Sequence, residues 1–282
     1  MLHCCSTLVD MGIEKIRITG GEPFVRKDIM QFMTAISKLP GLNELTITTN
    51  GVLTAPHVAE LKAIGVRSVN LSLDTLDAGR FFSITGRDEF ANVMHTFDEL
   101  LKHDIDVKIN AVVMDGKNTQ DIIPMVGITK QLPVSVRFIE EMPFNGDGHI
   151  YAGLKWDYVR ILDEIKSAYP RIKKLDDPQY STAYNYQIPG HQGTVGIIAA
   201  YSRTFCGTCN RIRITPDGEL KTCLYDNGVM NIKDLMRDGI EEENLKNTLL
   251  NAFGNRPKDG WEAEQQRVES TGVHESMATI GG

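Results

Sequence analysis

The chain of 282 residues lacks any apolar run near the roughly 18 residues of a membrane span, and its start shows neither a signal peptide nor an Arg-rich transit pattern. It is expected to be soluble and to contact no membrane. An excess of positive charge is also missing, since 30 Lys and Arg stand against 37 Asp and Glu, a net −7. A general basic surface for duplex nucleic acid is therefore excluded, and any anionic ligand must be held by local arginines. Cysteine is sparse, five in all with two adjacent at Cys4 and Cys5, so no secreted disulfide framework is readable and a reducing compartment is expected. No G-x-G-x-x-G fingerprint is present, which removes a standard Rossmann turn. What the chain does have is 41% hydrophobic residues, enough for one large α/β unit or about two domains.

Strand-like and helix-like periods alternate through the first half. Strands read at 15–19, 44–48, 68–73, 107–114 and 134–138, with helices at 28–38, 56–64, 90–103 and 119–131 between them. Five β/α units in succession predict a parallel α/β arrangement. Each strand ends in polar or glycine-rich residues: Thr19-Gly20-Gly21-Glu22, Thr48-Thr49-Asn50, Ser72 with Asp74, Asn110, and Glu140-Glu141-Met142. In parallel β/α folds these ends share one rim, the active face. Strand ends are also polar simply because loops are wet, but paired glycines after a strand allow a ligand to approach the backbone closely. Downstream, a helix reads at 154–168 and antiparallel strands at 184–188 and 194–199, expected to cover the open side of the parallel unit. The stretch 255–275 is polar and reads as a loose or partly disordered tail. The expected division is 1–150, 151–250 and a tail, 251–282, ending in Gly-Gly.

The densest chemistry lies in FCGTCNRIRITPDGELKTCLY. Cys206 and Cys209 form a C-x-x-C loop before a period-2 run at 211–215, Pro216-Asp217-Gly218 makes a turn, and residues 219–224 return. Counting outward from the turn sets Cys223 opposite Arg211, so three thiolates converge. A structural zinc needs four ligands, and no second C-x-x-C or His pair lies nearby. An iron–sulfur cluster on three thiolates would leave one iron free for a small molecule. Both readings, and free thiols, stay open on spacing alone. Arg211 and Arg213 share a face beside the sulfurs, either as a solvated strand face or as an anion pocket, since guanidinium forks match phosphate geometry.

The strings GIEKIRITGGEPFVRKDI, LTITTNG, SVNLSLDTL, VKINAVVM, VRFIEEMPFNG, FCGTCNRIRITPDGELKTCLY and a terminal IGG resemble, in this order, the GTP 3′,8-cyclases of molybdenum cofactor biosynthesis, which are radical S-adenosylmethionine (SAM) enzymes. The resemblance covers about residues 8 to 250 and the last few residues. It implies an incomplete parallel (β/α) partial barrel of radical SAM type with a C-terminal α+β extension carrying the three-cysteine cluster site. It also implies conversion of GTP to 3′,8-cyclo-GTP, with a C-terminal 4Fe-4S cluster on Cys206, Cys209 and Cys223 and with SAM as cofactor. Position by position, Gly21, Ser72 and Met142 correspond to SAM contacts. Arg17, Thr48, Lys108, Arg211, Ile212 and Arg213 correspond to GTP contacts, while Arg17, Gly281 and Gly282 correspond to catalytic positions. Implied partners are GTP, a second copy in a homodimer, and a downstream cyclic pyranopterin monophosphate synthase. The implied location is the mitochondrial matrix for a eukaryotic source and the cytoplasm for a bacterial one.

One departure stands out. The family's C-x3-C-x2-C cluster motif and its preceding strand are not in this sequence, and Cys4-Cys5 cannot stand in, because neighbouring residues point apart. The expectation for the chain as written is that it binds the C-terminal cluster and GTP but does not cleave SAM. The alternative is a non-catalytic iron–sulfur or zinc, nucleotide-binding module.

Overall fold

Apolar and polar residues alternate along the parallel strands, and that alternation gives their sheet two unlike faces. The computed structural model describes residues 1–142 and 153–268. Its first half runs α1 (Leu2–Asp10), β1 (Lys15–Ile18), α2 (Ile29–Ile36), β2 (Glu44–Thr49), α3 (Val58–Ala63), β3 (Ser68–Ser72), α4 (Ala78–Thr85), α5 (Phe90–Lys102), β4 (Asp106–Val113), α6 (Ile122–Ile128) and β5 (Ser135–Glu140). Leu45, Ile47, Val69, Leu71, Val107, Ile109, Val136 and Phe138 form one buried face. Met33 of α2, Leu61 of α3, Val93 and Leu100 of α5, and Met125 of α6 pack into the same core. Each such side chain contributes about 1.5–3 kcal/mol when fully buried. The five strands pair in parallel, as the β/α succession predicts.

The second half adds α7 (Tyr158–Ala168), β6 (Lys173–Lys174), β7 (Ala183–Gln187) and β8 (Thr194–Ile198). These do not cover the open side. β8 lies parallel to β5 and β7 antiparallel to β8, so the sheet grows to the order β1-β2-β3-β4-β5-β8-β7-β6. The physical reason is the edge of β5, whose backbone groups need partners that β8 supplies. The sheet is mixed, dominated by parallel strands, and does not close. Helix α4, not readable from the sequence, starts where the Asp77 carboxylate accepts the Arg80 N–H at 2.7 Å.

The cysteine-bearing stretch forms a second sheet of β9 (Arg213–Ile214), β10 (Glu219–Lys221) and β11 (Met230–Asn231), followed by α8 (Ile232–Arg237), α9 (Glu242–Gly254) and α10 (Gly260–Val268). Register Ile214↔Leu220 and Arg213↔Lys221 continues in step to place Cys223 across from Arg211, but the ladder stops short. The Asp226 carboxylate takes the Thr222 and Cys223 N–H groups at 2.8 Å each, leaving none for cross-strand bonds. Leu220, Ile232, Leu245 and Leu249 share a small core with Cys4 and Leu8 of α1, tying the first helix to this region. Helix α10 is also a correction, because it is folded within the stretch read as loose; residues 269–282, with Gly281 and Gly282, lie outside the described residues.

Candidate functional site

The polar face of the sheet holds the site. Register pairs Arg17 with Thr46, Thr48 with Asn70, Asn70 with Lys108, Asn110 with Arg137, and Arg137 with Gly196, so these residues line one concave surface opposite the core. Asn70 donates to Thr48 Oγ1 at 3.2 Å. Gly196 makes room for Arg137, whose Cγ would lie 3.0 Å from a Cβ added there. Arg17 opens into the concavity, and the enclosing protein, then Arg211, Arg137 and Arg213, pull its pKa down to about 10. Burial and then Arg211 bring Arg137 to about 10 as well. Lys108 is lowered by burial, then by Arg137 and Lys15, and Arg213 by burial, then by Arg211. Three cations of the large sheet and two from the cysteine-bearing stretch, Arg211 and Arg213, therefore repel one another. Among the described residues, Arg17, Lys108 and Arg137 form no ion pair with a carboxylate; Glu44, whose charge acts on Arg17, is bound to Lys15 at 2.6 Å. Thr46 Oγ1, Asn110 Oδ1 and Arg137 Nε are buried with no hydrogen-bond partner, an arrangement that costs free energy unless a polar ligand completes it.

Arg137 and Asn110 lie on the same face as the residues expected from the sequence to contact GTP. The signal was available for Arg137, a charged residue alternating with buried Val136 and Phe138 on an interior strand, yet only the register shows that it shares a face with Arg17 and Lys108.

A cleft of about 470 Å³ opens at the strand ends, lined by Gly21, Glu22, Asn50, Ser72, Asp74 and Thr75 among others. Gly21 and Ser72 both line it. Glu22 shapes its wall: its carboxylate accepts the Asn50 N–H at 2.8 Å, Thr49 Oγ1–H at 2.9 Å and the Phe24 N–H at 3.2 Å, while Gly20 takes φ +125° to turn the loop. Burial raises the Asp74 carboxyl to about 6, against a lowering by the Val112 N–H bond. Met142 does not line this cleft; it packs against the Tyr225 and Ala263 cluster on the cysteine side.

Cys206 and Cys209 sit on one 3₁₀ turn, with the Cys209 N–H bonded to the Cys206 carbonyl at 3.1 Å. All three late cysteines are free and half-buried. Cys223 feels the charges of both Cys206 and Cys209, and Arg213 those of Cys209 and Cys223, so thiols and cations occupy one neighbourhood. Yet among the described residues no three His, Cys, Asp or Glu side chains are gathered as tightly as the ligands of a single metal ion. The three thiols match an iron–sulfur cluster in donor type, and the metal-ligand convergence read from the hairpin is not formed among the described residues. Among the described residues the SAM side offers no such set: Cys4 faces the α9 core and Cys5 the main core, and burial raises both thiols, Cys5 to about 11.

Residues 6–127 match the profile described as Radical SAM superfamily and residues 134–261 that of Molybdenum Cofactor Synthesis C. A "GTP 3',8-cyclase" of Chlorobaculum tepidum is 36% identical over 277 residues, covering 98% of this chain and 82% of that protein. The chain belongs to the GTP 3′,8-cyclase family. A mitochondrial member from Arabidopsis thaliana is 39% identical, covering 88% of this chain and 64% of the plant protein. "Molybdenum cofactor biosynthesis protein 1" of Homo sapiens is 37% identical over 92% of this chain, and the chain spans 41% of that protein's length. Relatives in the GTP 3′,8-cyclase family thus include mitochondrial and bacterial proteins, and among the described residues no helix is long and apolar enough to cross a membrane. Two solved structures share the fold: SuiB of Streptococcus suis bound to precursor peptide SuiA (17% identity, TM-score 0.57, 87% of this chain and 58% of that one) and anSMEcpe with bound AdoMet and a peptide (14%, 0.53, 86% and 72%).

Proposed function

We propose that the chain binds GTP on its polar concave face and serves the GTP 3′,8-cyclase step of molybdenum cofactor biosynthesis. The observation that carries this reading is the meeting of Arg17, Lys108, Arg137, Arg211 and Arg213 beside three thiols. A triphosphate relieves the mutual repulsion of these cations and suits the guanidinium fork of Arg137, whose Nε is buried without a partner. Asn110 Oδ1 can then accept from a ribose hydroxyl and Thr46 Oγ1–H donate to a phosphate oxygen, with Thr48 on the same face; Ile212, which packs against the small core of Leu220 and Leu249, is assigned to GTP by the family alone. A 4Fe-4S cluster held by Cys206, Cys209 and Cys223 supplies, when bound, an open iron for a guanine nitrogen or oxygen. Gly21 and Ser72 belong to the proposed SAM cleft; Met142, packed against Tyr225, is assigned to SAM by the family alone. Gly281 and Gly282 stay part of the proposal as catalytic positions. The cysteines of this chain offer no second thiolate set at the SAM cleft, so the task of its own residues is to bind and orient GTP. Residues 1–150, 151–250 and 251–282 are proposed as barrel, cluster region and tail. A homodimer and a downstream cyclic pyranopterin monophosphate synthase complete the proposal, with mitochondrial or bacterial cytoplasmic location following the source.

The test is anaerobic cluster reconstitution followed by equilibrium dialysis with GTP and guanosine. Iron and sulfide at about four each per chain, GTP bound more tightly than guanosine, affinity falling with added salt, and at least about a tenfold loss in Arg137→Met are expected. One zinc per chain, or GTP binding indifferent to salt and to Arg137→Met, overturns the reading.

A further inference from the structure

Arg203 precedes the C-x-x-C loop and holds a left-handed backbone, φ +53°, that a non-glycine residue adopts only when its surroundings compel it. Its side chain is buried between two rings, with the guanidinium carbon 3.8 Å from the Tyr225 ring centre and 4.0 Å from that of Trp261. Nη1 donates to the Gly260 carbonyl at 2.8 Å, and Nη2 pairs with Glu264 at 2.7 Å. Gly260 and Glu264 both belong to α10, so one side chain fastens that helix to the cysteine loop by stacking, hydrogen bond and charge together. The fit at Gly260 is close: an added Cβ would meet Tyr225 Cδ2 at 2.8 Å and Arg203 Cδ at 3.0 Å. Tyr225 is fixed from the other side, its hydroxyl donating to the Ala200 carbonyl at 2.6 Å.

The clamp has a chemical consequence because of where its two partners sit. The Gly260 N–H is directed at the Cys206 sulfur and the Tyr225 N–H at the Cys223 sulfur. N–H groups directed at cluster sulfurs stabilise the more negative, reduced state, and such second-layer contacts set iron–sulfur potentials. We propose that Arg203 is a positioning residue for the Cys206–Cys209–Cys223 site: by locking α10 onto Tyr225 it holds two backbone amides beside the thiolates and raises the reduction potential of the cluster they bind. The inference rests on the cluster reading above.

The full chain, reconstituted anaerobically, is compared with Arg203→Gly, Arg203→Lys and Trp261→Ala by iron and sulfide content, mediated redox titration and electron paramagnetic resonance. Glycine relieves the backbone at 203 while deleting the clamp, and Trp261 is half exposed, so its loss spares the loop itself. Both Arg203→Gly and Trp261→Ala should shift the potential negative and move the g-values, with Arg203→Lys recovering part of the change through Glu264. Iron-loaded Trp261→Ala, or Arg203→Gly, with potential and g-values equal to those of the unsubstituted chain overturns the proposal. If the unsubstituted chain takes up no iron, it is the cluster reading that fails, a result distinct from unchanged potentials in loaded variants.

Discussion

The parallel half and the cysteine-bearing region are held together by different forces. In the first, a continuous apolar face runs from Leu45 to Phe138 under α2, α3, α5 and α6, and the polar face is left free for a ligand because the core needs nothing from it. In the second, strands of two or three residues and small apolar clusters are held by charged side chains at full coordination. Asp226 accepts four hydrogen bonds, from the Thr222 N–H and Oγ1–H, the Cys223 N–H and the Gly228 N–H. Lys221 is fully buried and donates to the Asp226 carbonyl at 2.7 Å, and Arg203 clamps α10. Hydrophobic burial is non-directional and tolerates small errors, whereas a polar scaffold sets positions atom by atom. The contrast suits a sheet that carries the fold beside a loop that must present three thiols in register.

Glu140 is the bridge between the two. At the end of β5, its fully buried carboxylate accepts the Tyr158 N–H and the Ser202 hydroxyl at 2.8 Å each and the Ser202 N–H at 2.7 Å, fixing the residue just before Arg203. The chain's two tryptophans report on the two sides: Trp156 donates to Asp115 near the parallel half, and Trp261 stacks on Arg203.

The contrast can be tested from its strongest element down. Phe138→Ala empties a site in the main core and should cost about 3–5 kcal/mol in urea unfolding, with Trp156 and Trp261 fluorescence lost together. If Trp261 survives that loss, the cysteine region does not depend on the parallel half. Glu140→Gln should cost about 2–3 kcal/mol, since an amide replaces a charged acceptor of three bonds, and should lower the Trp261 transition more than that of Trp156. Equal shifts would show that Glu140 does not join the two regions. Asp74→Asn gives the smallest change and the opposite sign. The folded pKa near 6 lies above the ordinary value of 3.8, so the ionised carboxylate is a penalty that is full above pH 6 and vanishes as pH falls towards 3.8. The substitution should therefore stabilise by about 1–2 kcal/mol at neutral pH, with the gain shrinking through that window; a gain independent of pH contradicts the assignment.

Much of this was legible beforehand. Period-2 runs located all five parallel strands to within a residue or two, because the side-chain alternation that buries one face is written directly into the sequence. The turn at Pro216-Asp217-Gly218 and the antiparallel pairing of 213–214 with 220–221 were readable too, but the ladder ends before Arg211 and Cys223. Helix α10 was not legible: its residues are polar, and what holds it is Arg203, distant in sequence. The role of Arg137 was hidden for a similar reason, since a charge in an alternating strand says that it faces away from the core but not what else faces the same space.

The residues by themselves determined the order of strands and helices, the face each strand buries, and the presence of three thiols near a hairpin, since these depend on local period and turn chemistry. Tertiary structure alone decided that Arg17, Lys108, Arg137, Arg211 and Arg213 lie within reach of one another's charge and that α10 caps the cysteine loop. Long-range electrostatics and stacking act between groups that only a folded chain brings close, so no local pattern records them.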